Sequence, residues 1–138
     1  NSGYYITPHL NKSDSMLTHR HEANVEAKHY EVVQEGMWRV CEYGTGRYYK
    51  VPNVSMCGKT GTTDNSGGKP HSIFFGYAPR ENPQIAIAVI IENAGFGSMW
   101  ACPIATLCIE QYLTGEITRT DLFNRMKTTV LNTDVKKF

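Results

Sequence analysis

The groups best able to grip an anion are concentrated in Lys59-Thr60-Gly61-Thr62: a cation, two hydroxyls, and a residue without a side chain that lets another backbone come close. Thr60 and Thr62 are two positions apart, which on an extended strand puts both hydroxyls on one face. Taken singly these residues have bland explanations, a solvated strand lysine for Lys59 and ordinary β-propensity for the threonines. A phosphate loop is disfavoured, because that motif has glycine five positions before its Gly-Lys pair and here that position is Asn53. A phosphate loop also opens a helix, whereas this segment runs on into Gly67-Gly68 and Pro70.

Covalent chemistry at such a site needs an activated nucleophile with a proton-moving partner, such as a serine with a lysine one helical turn along. Only Ser66-Gly67-Gly68-Lys69 has those letters, and its glycine-rich surroundings read as a turn that cannot hold helical geometry. No Ser-x-Asn occurs, and Thr63-Asp64-Asn65 follows the lysine segment too closely to face it across a cleft. The nucleophile is therefore expected from sequence outside this chain. His19-Arg20-His21-Glu22 lacks the His-Glu-x-x-His spacing that puts two imidazoles on one helical face, and is read as a solvated polar loop. Cys57 is read as a packed small hydrophobe and His71 as a hairpin-end residue, each in preference to a role in the site. Cys41, Cys57, Cys102 and Cys108 form no Cys-x-x-Cys pair, so buried free thiols are expected.

These groups must be held by a fold, and 138 residues suffice for one domain. Lys plus Arg number 14 against 13 for Asp plus Glu, a net charge of +1 that offers no general attraction for nucleic acid or an anionic membrane. With 41% hydrophobic and 20% charged residues, the composition is that of a packed chain rather than a disordered one. The longest apolar run, 85–91, is far short of the about 20 residues that a bilayer span needs. Asn1-Ser2-Gly3-Tyr4 has neither an initiating Met nor the basic start of a signal peptide, so the chain is expected to begin inside a longer one.

Along the chain, 3–10 reads as a short edge strand or extended lead-in broken by Pro8, and 11–28 as a polar loop with at most one short strand. Tyr30, Val33, Met37, Val40 and Cys41 recur at helical spacing, predicting a helix over 29–43 stopped by a left-handed glycine in Gly44-Thr45-Gly46. A connecting segment over 48–54 bends at Pro52. Strands are then predicted over 54–63, 72–78 and 85–92, joined by turn clusters at 64–70 and 79–83. The last strand is apolar on both faces, which suits a place near a sheet centre with cover on both sides; a missing partner would leave it uncovered, with a bare edge. A second helix runs from Met99 to Leu113, with Pro103 in its first turn and Gly115 at its end. A third is expected over 121–131 within the tail 116–138. The fold class is thus α+β, an antiparallel meander of about three strands with packed helices.

Lys59-Thr60-Gly61 matches the third motif of the penicilloyl-serine transferases. With 54–63, His71 to Pro79, Ile85 to Asn93, Gly95 and Pro103 in order, the chain resembles the C-terminal part of class B penicillin-binding proteins, in particular the elongation-type D,D-transpeptidases of peptidoglycan. The opening Gly3-Tyr4-Tyr5-Ile6-Thr7-Pro8-His9-Leu10 is similar to the stretch preceding this region in that family, so the resemblance covers 3 to about 113. It implies that the whole of 1–138 is the C-terminal part of a β-lactamase/transpeptidase-like domain, with two further strands and an all-helical half upstream. It implies catalytic roles for Lys59, Thr60 and Gly61. Lys59 would lie near the serine of the second motif, Thr60 and Thr62 would hold the carboxylate of a D-Ala-D-Ala stem peptide or a β-lactam, and the Thr62 N–H would form half the oxyanion hole. It further implies serine acyl transfer with no metal or organic cofactor, an inner-membrane anchor upstream with this part in the periplasm, and partners in the cell-elongation machinery. Without the nucleophile the 138 residues alone are expected to be inactive. A β-lactam or muropeptide sensor, a pseudoenzyme, or a β-lactamase would share the same lysine motif.

Overall fold

The computed structural model describes residues 3–10 and 19–131, in two compact units, Asn1–Gly36 and Met37–Phe138. In the first, β1 (Tyr4–Ile6) pairs antiparallel with β2 (Arg20–Glu22), Tyr5 facing His21. The extended lead-in is thus a real strand, and its partner is the one short strand allowed within 11–28, of which 11–18 lie outside the described residues. Helix α1 spans Ala27–Glu42, starting two residues before and ending one before the predicted limits. Its apolar stripe is not uniformly inward: Cys41 is buried, but Val33 is 59% exposed.

The end of α1 corrects one expectation. Neither Gly44 nor Gly46 is left-handed. Glycine is needed at 44 for closeness, since a Cβ there would come within 2.9 Å of the Val40 Cα. The Gly46 N–H donates to the Val40 carbonyl at 3.0 Å, so the chain folds tightly back on the last helical turn. A 3-10 turn, Arg47–Tyr49, follows, starting one residue before the predicted connecting segment.

Strands β3 (Cys57–Thr63), β4 (His71–Ala78) and β5 (Ile85–Ile91) form the predicted antiparallel meander, in the order β3-β4-β5. Alternation sends Phe74, Ala78 and the odd-numbered positions 85–91 of β5 to one face, where they join a core with Cys41, Met56, Ala105 and Ile109. Helix α2 (Ala101–Thr114) covers that face. The opposite face is open among the described residues: Phe75 is 48% and Ile90 63% exposed, and Ala86 and Ala88 are exposed as well. Among the described residues β5 is thus an edge strand with one face uncovered, the state expected where a covering partner is missing. Apolar residues on both faces of a strand permit double burial but do not supply the second covering layer.

Helix α2 starts without a capping side chain of its own. The buried Ser72 of β4 takes over that task, its hydroxyl accepting the Ala101 N–H and donating to the Phe96 carbonyl, both at 3.0 Å. Gly115 ends the helix as predicted, left-handed at φ +81° with its N–H on the Gln111 carbonyl. Helix α3, Thr120–Thr128, is shorter than the tail helix expected to reach 131, and 132–138 lie outside the described residues.

Candidate functional site

Gly58 and Gly76 face each other across β3 and β4, and the Phe74 ring lies over both. A Cβ at Gly58 would stand 2.4 Å from the Phe74 Cζ, and one at Gly76 2.5 Å from the Cys57 carbonyl oxygen. These glycines let a large core ring lie against the sheet. The register they accompany sets Lys59 opposite Phe75, Thr60 opposite Phe74 and Gly61 opposite Ile73.

Among the described residues strand β3 is a sheet edge, so alternate backbone N–H and C=O groups along it face away from β4. Lys59 is exposed, and its ammonium donates to the Thr60 carbonyl at 2.6 Å. Thr60 and Thr62 share a face, as their spacing requires, but differ in burial. Thr60 is only 9% exposed and its hydroxyl lies 2.7 Å from that of Thr45, whereas Thr62 is exposed and accepts the Gly97 N–H at 3.4 Å. Lys59 and half-buried Gly61 alternate onto the other face. Cation and hydroxyls thus leave the strand on opposite sides. They can converge only on a group lying alongside the rim, where it would also meet the unpaired backbone of the edge.

The remaining sequence candidates occupy structural positions. Ser66 and Lys69 fall in the loop between β3 and β4, beside Gly67 at φ +103°, and are not on a helix. Asn65 donates from its amide to the Asn93 side chain at 2.7 Å, tying this loop to the turn after β5. His71 pairs with Thr63 at the hairpin end, and its Nδ1 accepts the Asn93 N–H at 3.0 Å. His21 stacks on Tyr5 at 4.9 Å and bonds the Thr7 hydroxyl, while Arg20 pairs with Glu22 at 2.6 Å. Cys57 is fully buried. Burial first, then contact with Cys57, pushes the Tyr77 hydroxyl pKa up. Cys41 and Cys102 are buried thiols pushed up to about 12, chiefly by desolvation. Cys108 is exposed, against expectation, because it lies on the side of α2 turned away from the sheet.

Two residues that shape the rim escaped the sequence reading. Thr45 lies in the Gly-Thr-Gly segment, which signalled a helix end and nothing more. Gly97 belongs to the turn that leads from β5 to α2, and it presses on the strand pair: a Cβ there would meet the Gly61 and Ile73 carbonyl oxygens at 2.2 and 2.3 Å.

The penicillin binding protein transpeptidase domain family matches residues 1–110, and the chain belongs to that family. Peptidoglycan D,D-transpeptidase MrdA of Haemophilus influenzae is 29% identical over 90% of this chain, and PbpA of Mycobacterium tuberculosis is 36% identical over 48% of it. The chain spans 23% and 15% of the length of these two relatives. Among solved structures, penicillin-binding protein A from M. tuberculosis as a ceftriaxone acyl-enzyme complex superposes with a TM-score of 0.68 at 26% identity. That match covers 83% of this chain and 29% of the other. Pseudomonas aeruginosa PBP2 in complex with WCK 5153 gives 0.66 at 29% identity, covering 87% of this chain and 29% of that one.

Proposed function

We propose that this chain is the C-terminal part of a peptidoglycan D,D-transpeptidase domain and supplies one wall of its acyl-transfer site, Lys59-Thr60-Gly61-Thr62. The observation that carries the reading is the position of an exposed lysine and its neighbouring threonines on a sheet edge that has no partner strand among the described residues. An extended stem peptide can lie there as an added strand, its terminal carboxylate meeting hydroxyls and a cation. A serine from the remainder of the longer protein attacks the carbonyl between the two D-alanines. The departing amine takes a proton and leaves as D-alanine, and the ester so formed passes its acyl group to the amine of a neighbouring stem peptide. The oxygen that gains charge during attack needs N–H donors, and the Thr62 N–H is assigned to that task. β-Lactams acylate the same serine. The longer protein is assigned to the periplasmic side of the inner membrane, held by an upstream helix, with the cell-elongation machinery as partner.

The test is to incubate the 138-residue chain and the full-length protein with a fluorescent penicillin and separate the products under denaturing conditions. A covalent band is expected for the full-length protein only, and Lys59→Ala in that protein should weaken it by at least about tenfold, the scale of losing one charge-assisted contact. A stoichiometric adduct on the 138 residues would overturn the assignment of the nucleophile. Rapid turnover of the acylated form would instead favour a β-lactamase, and a permanently acylated protein without cross-linking activity a sensor.

A further inference from the structure

We infer that Thr45 is a positioning residue for the acyl-transfer site: its hydroxyl orients that of Thr60 so that the Thr60 proton is available to a substrate carboxylate. The inference rests on the function proposed above. It begins from the 2.7 Å contact between the two hydroxyl oxygens, in which either can be the donor. A hydroxyl has one proton to give and two lone pairs to receive with. A carboxylate only accepts, so when Thr60 meets one its single proton must go there. Thr45 must then donate to Thr60, and a donor behind it polarises the Thr60 O–H in the direction the anion requires.

The geometry makes this orientation fixed rather than incidental. Thr60 is 9% exposed, so water has little room to replace a lost partner, whereas Thr45 is exposed and its own lone pairs can be solvated. Thr45 is held on a loop tied to the helix it follows. The Gly44 N–H donates to the Arg39 carbonyl at 2.9 Å, that of Gly46 to Val40 at 3.0 Å, and that of Arg47 to Gly44 at 3.2 Å. Glycines on both sides let the loop approach α1 closely enough for these bonds, with Gly46 buried between Val40, Cys41 and Cys102. Thr45 is thereby presented to β3 from a rigid turn 15 residues earlier in the chain.

The experiment uses the full-length protein and a fluorescent penicillin bearing a free carboxylate, with acylation followed against probe concentration. Thr45→Val should raise the half-saturating concentration roughly tenfold, the scale of one hydrogen bond to a charged group, and leave the limiting acylation rate within twofold. Thr45→Ser, which keeps the hydroxyl, should restore the unsubstituted behaviour. Thr45→Val added to Thr60→Val should have no further effect, because Thr45 acts through Thr60. A half-saturating concentration unchanged in Thr45→Val, an equal loss in Thr45→Ser, or additive losses in the double variant would overturn the inference alone. Absence of acylation in the unsubstituted protein would overturn the functional reading on which it stands.

Discussion

Gly97 and Gly36 show how the same residue type answers to opposite constraints. A Cβ on Gly97 would lie 2.2 Å from one backbone oxygen and 2.3 Å from another, and backbone in a paired sheet cannot step aside as a flexible side chain can. Gly97→Ala is therefore expected to destabilise the protein by about 1 to 3 kcal/mol, the range of overpacking a filled site, and to shift the edge at Gly61. Gly36 sits within α1 with nothing within 4 Å of a Cβ, so Gly36→Ala should raise stability by about 0.5 to 1 kcal/mol through helix propensity. Urea midpoints measured on the two variants should move in opposite directions, and a Gly97→Ala midpoint at or above the parent's would show that the turn is not packed against the strand pair. Local sequence gave no means of telling these glycines apart. Their difference lies in which distant backbone comes near, as it does at Gly44 and Gly46, where a helix end was legible but the left-handed reason for it was not the operative one.

At the scale of elements, α2 and the start of α3 are joined by a buried ionic knot. The Glu110 side chain is 2% exposed and that of Arg119 16%, with 2.8 Å between Nε and Oε2. The Thr118 N–H and hydroxyl donate to the other carboxylate oxygen at 3.0 and 2.6 Å. Arg119 also donates to the Tyr49 and Thr106 carbonyls, each at 2.7 Å. Burial pushes the Glu110 carboxyl up, but the bonds from Thr118 and Arg119 outweigh it and hold the group below its usual range. A carboxyl lowered on folding contributes stability that is fully present above the usual range near about 4.3 and is lost as pH falls through the lowered value. Urea midpoints should accordingly drop on acidification below that range, and Glu110→Gln should flatten this part of the profile. Arg119→Met strands a buried carboxylate and should cost about 3 to 5 kcal/mol at neutral pH. A Glu110→Gln profile as steep as the parent's would assign the acid loss to other carboxyls. Period-two alternation, turn clusters and the left-handed Gly115 made β3 to β5 and α2 readable, because each signal is local. The knot was not, since Glu110 finds Arg119 nine positions on and the Tyr49 carbonyl 70 away from Arg119, separations that carry no periodic mark.

At the largest scale, the governing fact is that among the described residues the β3-β4-β5 sheet has one covered face, one open face and two edges without a partner strand. Strand β5 contains no charge, no proline and no bulge in its pairing with β4, the devices by which exposed edges avoid joining one another. Phe75, Ala86, Ala88 and Ile90 stand on the open side of β4 and β5, and a cavity of about 370 Å³ opens there against Met37 and Tyr77. An uncharged apolar edge beside an uncovered apolar face favours pairing of β5 with β5 of a second copy, which removes backbone groups and apolar surface from water together. Sedimentation velocity on the 138-residue chain is expected to show association that grows with concentration. Ile90→Lys should suppress it without unfolding the chain, because that side chain is 63% exposed and lies on the face opposite α2. If the upstream strands implied by the family resemblance cover this edge, the full-length protein should sediment without that association. A concentration-independent monomer of the 138 residues, or association unchanged by the lysine, would mean that β5 is protected in some other way and that its apolar outer face carries no drive to pair.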